Sequence, residues 1–457
     1  MDRVDWYELS RRLHRLYEGK IEVLPKVPVA SRGEFAVWYT PGVAGPALDN
    51  AGDPEESFLN TWRWNTVAVV SDGTRVLGLG NVGPEAALPV MEGKALLFKV
   101  LGGVDAVPLV HRGRSVEEWL RLLELLEPSF GGVNLEDIES PKCFQLLDET
   151  RERLDIPVWH DDQQGTATVT LAGLINAAKL TGRRLREMKI VLLGAGAANI
   201  ALYRLLRAYG VPAANIAVLD SRGLLHPRRR DIESLREKHP WKHRIAVETG
   251  GAWLGSRDAG PAEALRGADA LVAASRPGPG VVKPEWVRGM ARDAIVFAEA
   301  NPVPEIWPWE AREAGARVIA TGRSDFPNQV NNSLAFPAVF RGVLDVRARA
   351  ITDEMAIAAA LELARFAEER GLREDYIIPG MEEWEVFPRV AAAVAAKASE
   401  QGLARKPSSY EEELERARRI ISATLEKIRV LRGAGLIAPL PPDVERAIKG
   451  YNGSRDG

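Results

Sequence analysis

The clearest pattern along the chain is a series of short apolar runs separated by turn residues. From about residue 161 to 345 these runs alternate with stretches of helical periodicity: KIVLLGAG is followed by ANIALYRLLRAYG and then by IAVLD. Further runs, ADALVAAS, DAIVFAEAN and ARVIAT, each give way to turn formers. Short apolar strands alternating with helices predict a doubly wound parallel sheet, because strands covered on both faces read as continuous apolar runs. Before that region the pattern is mixed and broken by Gly- and Pro-rich turns such as TPGVAGP and LGLGNVGPEAALP. After it the chain is helical. In TDEMAIAAALELARFAEERG, Thr352 is placed to cap a helix and Gly371 to stop it. From Tyr410 to Arg432 the apolar positions Leu414, Ala417, Ile421, Leu425, Ile428 and Leu431 recur every three or four residues, which predicts an amphipathic helix packed on a core or a partner subunit. The tail KGYNGSRDG is expected to fray.

The expected fold is therefore α/β and two-domain. Residues 1–160 form an N-terminal α/β domain, residues 161–345 a Rossmann-like doubly wound parallel sheet, and residues 346–457 a C-terminal helical segment that packs back on the N-terminal domain. A length of 457 residues is too great for one compact core, which supports the division. The net charge of −3, from 60 basic and 63 acidic residues interspersed along the chain, offers no field for nucleic acid or an anionic membrane. An anionic substrate must be held by local chemistry. The opening MDRVDWYELSRRLHRLYEG is charged and lacks the apolar run of a secretory signal, and no stretch has the roughly 20 apolar residues of a membrane span. Cys143, the one cysteine, cannot pair internally; it reads as a packed thiol in a reducing, cytoplasmic setting.

Two clusters carry candidate chemistry. Gly194-Ala195-Gly196-Ala197-Ala198-Asn199 follows the strand Ile190–Leu193 and opens a helix. Two glycines allow a tight turn and a close backbone approach to a pyrophosphate, which the helix N-terminus stabilises; Asn199 stands where the fingerprint's third glycine is usual. A second strand ends in Asp220, 24 positions after Gly196, where a carboxylate can accept from an adenosine ribose. That favours NAD over NADP, although Arg222 and Arg228-Arg229-Arg230 could pair with a phosphate. The other cluster is acidic: Glu136-Asp137 and Asp161-Asp162, each after an apolar stretch. Neighbouring strand residues point to opposite faces, so such pairs converge only at a strand end or turn. Glu136, Asp137 and Asp162 brought together would require a cation, and three hard oxygens suit Mg²⁺ or Mn²⁺. Taken singly these acids are as readily turn formers, and His160 reads as a core or supporting histidine.

The motifs YTPGVA (from Tyr39), EGKA (to Ala95), NLEDI, DDQQGT, ANPVPE and DFPNQVNN occur in the order in which the malic enzymes carry them. The chain resembles that family, in its prokaryotic small-subunit type without a phosphotransacetylase-like extension, from about residue 15 to 405. Beyond 405 no counterpart is expected. The resemblance implies oxidative decarboxylation of malate to pyruvate and CO₂ with NAD or NADP and a divalent metal. It further implies Tyr39 as general acid, Lys94 as general base with Asp161 beside it, and Glu136, Asp137 and Asp162 as metal ligands. Arg75, Asn301 and Asn332 would bind substrate. Thr166, Gly194, Gly196, Ala197, Ala198, Asn199, Asp220, Ser275 and Asn301 would meet the cofactor. A homodimer is the expected assembly, with Tyr39 near or across the subunit boundary. A malolactic-type enzyme, a plain malate dehydrogenase and a catalytically silent nucleotide-binding sensor are the alternatives.

The chemistry asks for these groups. Hydride can leave C2 of malate only as its hydroxyl proton departs, so Lys94 must be neutral and its pKa is expected to be lowered, against the opposing charge of Asp161. Loss of the C4 carboxylate leaves an enolate that a divalent ion stabilises. Protonation at C3 suits a phenol, which ordinarily titrates near about 10.

Overall fold

A computed structural model describes residues 5–453 of the chain. Four strands, β1 (Thr66–Ser71), β2 (Asp105–Val110), β3 (Gly132–Leu135) and β4 (Val158–His160), form a parallel sheet in the order β2-β1-β3-β4. Six more, β5 (Ile190–Leu193), β6 (Ile216–Asp220), β7 (Gly223–Leu224), β8 (Ala270–Ala273), β9 (Ala294–Ala298) and β10 (Ala316–Thr321), form a second sheet in the order β10-β9-β8-β5-β6-β7. All its neighbours are parallel except β7, which turns back on β6. Every residue of β1, β3, β5, β8 and β9 is buried, as strands covered on both faces must be.

In the second sheet the chain builds outward from β5 through β6, then returns to build from the other side of β5 through β8. In the first, the same reversal falls between β1 and β3. Reversals of this kind open crevices at the carboxyl ends of parallel strands. The predicted strands of the second sheet are present, with DAIVFAEAN pairing only through Ala298, so Glu299 stands just past the strand.

Helices close both sheets. Asp353–Glu369 starts where Thr352 Oγ1 accepts from Met355 N (3.2 Å) and is followed by Gly371 at φ +89°. It packs on Thr166–Leu180 and Ala197–Tyr209, beside the second sheet. Tyr410–Gly433 buries Ala417, Ile421 and Thr424 against Val386–Glu400 and Pro84–Gly102, while Val430 near its end is exposed. The predicted apolar face is thus used in its first half. The tail expected to fray is helical over Pro442–Gly453, with Arg12 donating to Asp443; residues 454–457 lie outside the described residues. Among the described residues, no helix is long and apolar enough to cross a membrane. Residues 5–57 contain no buried position, and Val23, Phe35, Val37, Tyr39 and Leu48 are exposed there.

Candidate active site

The acidic cluster forms at two strand ends. β3 stops at Leu135, and Asp137 adopts a left-handed φ of +55°, a costly conformation for a residue with a Cβ. This turn lets two consecutive acids serve one site. β4 stops at His160 and passes into one wide π-type turn, Asp161–Gly165, before the helix Thr166–Leu180. Carboxylate oxygens of Glu136, Asp137 and Asp162 lie within 4.8 Å of one another. Asp137 N donates to Asp162 Oδ2 (2.9 Å), and Asn134 Nδ2 to Glu136 Oε2 (3.0 Å).

Burial, with the charge of Asp162, pushes the Asp137 carboxyl up to about 7. Burial also raises Glu136 well above the carboxylate range, offset in part by Lys94. Asp137 Oδ2 is buried and meets no donor. An orphaned oxygen among three crowded acids, with no nitrogen or sulfur ligand in the set, fits a hard divalent cation such as Mg²⁺ or Mn²⁺. His160 backs the cluster, its Nδ1 3.9 Å from Asp162 Oδ2, and burial lowers its pKa, so it stands neutral.

The helix Pro84–Gly102 delivers Lys94 from the other wall. Its Nζ donates to Asp161 Oδ2 (2.5 Å) and Asn332 Oδ1 (3.3 Å), and lies 3.2 Å from Glu136 Oε1. Trp159 Nε1 holds the other oxygen of Asp161 (3.0 Å). The expected lowered pKa is not found. Burial acts to lower it, but the charges of Asp161 and Glu136 outweigh burial and hold the ammonium above the lysine range. Gly165 makes the approach possible: a Cβ there would stand 2.0 Å from Asp161 Oδ1 and 3.0 Å from Asn332 Cβ.

The glycine turn sits at the carboxyl end of β5. Gly194 has φ +102°, and a Cβ on it would meet Ala274 O at 2.4 Å, whereas Gly196 faces open space at the start of the helix Ala197–Tyr209. That cradle could accept a pyrophosphate. Asn199, in place of a third glycine, is buried and turned away from the cradle; its Nδ2 donates to Leu193 O (3.1 Å) and Gly194 O (2.9 Å), latching the turn from beneath. Asp220 Oδ1 accepts from Arg222 N (2.9 Å) and Arg229 Nη1 (3.0 Å), and its Oδ2 lies 3.7 Å from Lys242.

One cleft of about 710 Å³ joins the two strand-end systems. Its walls include Lys94, Glu136, Asp137 and Asp162 with Arg75, Asn301 and Asn332; Thr166, Gly196, Ala197, Ala198 and Ser275 line it as well. Gly194, Asn199, Asp220 and Asp161 are not among its lining residues. Tyr39 is absent from the lining and is 72% exposed. Arg75 is not tied to Asp72, which instead receives Lys142 Nζ (2.5 Å) and Trp119 Nε1 (3.1 Å). Cys143 is buried and burial raises its thiol to about 12, in keeping with a packing role. Sequence reasoning passed over Lys20 and Glu299, which also line the cleft. For Glu299 a signal existed: an acid closing an otherwise apolar strand. A smaller cleft of about 390 Å³, beside Arg204, Trp241 and Arg244, contains none of these groups.

A doubly wound sheet whose glycine turn shares a cleft with an acidic triad and a buried lysine defines an α/β oxidoreductase of the dinucleotide-dependent class. The family model described as malic enzyme, N-terminal domain, matches residues 18–112. The one described as malic enzyme, NAD binding domain, matches 163–306 and 314–399. The chain belongs to the malic enzyme family. It is 46% identical to the bifunctional malic/malolactic enzyme of Bacillus subtilis, over 90% of this chain and 98% of that protein. It is 48% identical to the NAD-dependent malic enzyme of Geobacillus stearothermophilus, over 85% and 78% respectively. The malic enzyme structure from Entamoeba histolytica superposes with a TM-score of 0.93 at 43% identity, covering 99% of this chain and 94% of that one. The C-terminal helices, for which no counterpart was expected beyond residue 405, therefore have one there.

Proposed function

We propose that this chain converts malate to pyruvate and CO₂ with reduction of a nicotinamide cofactor. The observation that carries the reading is the single cleft holding Lys94, the three acids and the glycine turn. Glu136, Asp137 and Asp162 would hold a divalent cation, which would supply Lewis-acid stabilisation of the negative charge that develops on the substrate. Lys94 receives the hydroxyl proton at C2. A cation held by the three acids would offset Glu136 and Asp162, two of the three carboxylates whose charges keep Lys94 protonated. Arg75 pairs with a substrate carboxylate, and the amides of Asn301 and Asn332 orient substrate against the cofactor, which is held at Gly196–Ala198, Thr166 and Ser275.

Tyr39 supplies the proton to C3 from a second copy of the chain. It is exposed and does not line its own subunit's cleft, and the segment around it exposes apolar side chains that a homodimer would cover. NAD is the preferred cofactor: Asp220 Oδ1 accepts from Arg222 and Arg229, whereas Oδ2, 3.7 Å from Lys242, accepts no hydrogen bond among the described residues and is the oxygen left for a ribose hydroxyl. The compartment is the cytoplasm.

The test is to combine the protein with malate and Mn²⁺ and, separately, NAD or NADP at matched concentrations. Pyruvate, CO₂ and reduced cofactor in equal amounts are expected, with the higher rate for NAD. A malolactic reaction is the second reading, favoured by the name of the Bacillus subtilis relative. Lactate without accumulating reduced cofactor would establish it; oxaloacetate alone, or no turnover, would overturn both.

A further inference from the structure

Glu299 is a buried acid, 9% exposed, that lines the cleft just past the end of β9, two residues before Asn301. Its backbone N donates to Ala273 O (2.8 Å), which fixes it between the cradle and the substrate side. Among the described residues no lysine, arginine or histidine forms an ion pair with it. Its Oε1 lies 2.7 Å from Thr170 Oγ1, and the same hydroxyl lies 2.8 Å from Thr166 O, one helical turn back. A hydroxyl has one proton to give. When Thr170 donates to Thr166 O, as helix threonines do, it can only accept from Glu299, which must then carry a proton. When Glu299 is ionised, the hydroxyl swings and donates to it. The geometry accommodates both states with one rotation of one O–H.

We propose that Glu299 is a proton-exchanging, specificity-determining residue of the nicotinamide subsite: neutral beside the reduced ring and ionised against the cationic oxidised ring. The inference rests on the assignment of this cleft to a nicotinamide cofactor. An adjacent cation favours the ionised form, so the oxidised cofactor expels a proton from Glu299 on binding. Hydride transfer removes the ring charge, and Glu299 takes a proton back. The group is poised for this exchange, because burial pushes its carboxyl up to about 8 and the Thr170 hydrogen bond restrains the rise. Glu305, the other acid bearing on it, is fixed by Ser275 N (2.8 Å), Ser275 Oγ (3.1 Å) and Ala300 N (3.1 Å). On the loop after β10, Arg323 and Asp325 pair with each other (2.5 Å). Across the cleft stand Arg75, Lys94 and the three acids.

The experiment measures binding of NAD⁺ and NADH to the wild-type protein, without malate, from about pH 6.5 to about pH 9, in buffers of different ionisation enthalpy. NADP⁺ and NADPH serve as a parallel pair. Affinity for NAD⁺ should rise about tenfold across this range, with calorimetric release of a large fraction of a proton near about pH 7. Affinity for NADH should change less than about twofold. Glu299→Gln should abolish the proton release and flatten the NAD⁺ profile. Thr170→Val should keep the release but move its midpoint upward, since the ionised carboxylate loses the hydroxyl; this variant carries the test if Glu299→Gln does not fold. Equal profiles for the two redox forms, or proton release that persists in Glu299→Gln, would overturn the role of Glu299 while leaving the cleft assignment intact. Failure of wild-type protein to bind any of these dinucleotides would overturn the cleft assignment, and this inference with it.

Discussion

Lys94 Nζ lies 2.5 Å from Asp161 Oδ2, and the two residues come from opposite walls of the cleft: one from the helix Pro84–Gly102, the other from the turn after β4. The pair joins the two halves of the site, and in the proposed reaction Lys94 is the group that receives the C2 hydroxyl proton. Lys94→Ala should lower turnover by about 10³-fold or more, at the upper end of what one general base contributes, while dinucleotide affinity stays within about twofold. Initial rates and cofactor titration by nucleotide fluorescence check both halves. A variant with wild-type turnover would remove Lys94 from its role.

Gly165 lies against Asp161 and Asn332 and is not among the residues lining the cleft. Its φ of −63° suits any residue, so space alone forbids a side chain there. Asp161 cannot swing aside cheaply, being held by Trp159 and Lys94. Gly165→Ala should therefore displace the lysine by a fraction of an ångström to an ångström, and kcat should fall by about 10²-fold with much smaller change in cofactor affinity. Steady-state kinetics beside a thermal melt separate misplacement from unfolding.

Asp137 carries the orphaned oxygen of the acidic triad. Asp137→Asn keeps the shape and removes a charge, so the Mn²⁺ concentration for half-maximal rate should rise by about 10²-fold, while the metal-free protein should become more stable because three crowded carboxylates are reduced to two. Metal titration followed by rate, and melting in excess chelator, test the two signs separately. An unchanged metal requirement would dissolve the triad as a ligand set.

The second sheet was legible because its strands are continuous apolar runs with glycine turns, and these patterns are local. β1 was harder: TVAVVS is buried from end to end, yet begins and ends in hydroxyl residues. The convergence of Glu136 with Asp162 was readable only as a requirement for a turn, since the left-handed φ of Asp137 has no marker in its side chain. The direction of the Lys94 shift was unreadable, because it depends on how near Asp161 and Glu136 come, a distance set by tertiary packing. Asn199 read as a flaw in the glycine fingerprint, whereas its amide supplies two bonds to the turn, which sequence spacing does not reveal.

If Tyr39 acts across a subunit boundary, two inactive variants should repair each other. A homodimer of Tyr39→Phe lacks the acid in both sites, and one of Lys94→Ala lacks the base in both. After mixing and exchange of subunits, half the molecules are heterodimers, each with one site that takes Lys94 from one subunit and Tyr39 from the other. Activity should recover to about a quarter of wild type. No recovery, with exchange verified by mass, would place Tyr39 in its own subunit's site or outside the reaction.

The helix Tyr410–Gly433 carries an unusual buried acid, and this gives a stability prediction with a definite sign. Glu413 is fully buried, and no donor from another residue reaches either of its carboxyl oxygens. Beside it Asp345 is clasped by Arg341, whose Nε (2.8 Å) and Nη2 (2.7 Å) donate to it. Burial and the facing Asp345 carboxylate raise Glu413 to about 10, so at neutral pH it stays protonated and donates to Asp345. A carboxyl whose pKa is higher folded than unfolded binds more protons in the native state. Its contribution is complete below the unfolded value near about 4.5 and is lost progressively as pH rises toward 10. Glu413→Gln keeps a donor for Asp345 without the titration. Relative to wild type it should therefore gain stability steadily from about pH 6 to about pH 9, reaching about 1 to 3 kcal/mol at the alkaline end. Denaturant unfolding of both proteins across that range is the measurement. A difference that does not grow with pH would mean that Glu413 is ionised in the native protein and that Arg341 and Arg416 compensate both acids.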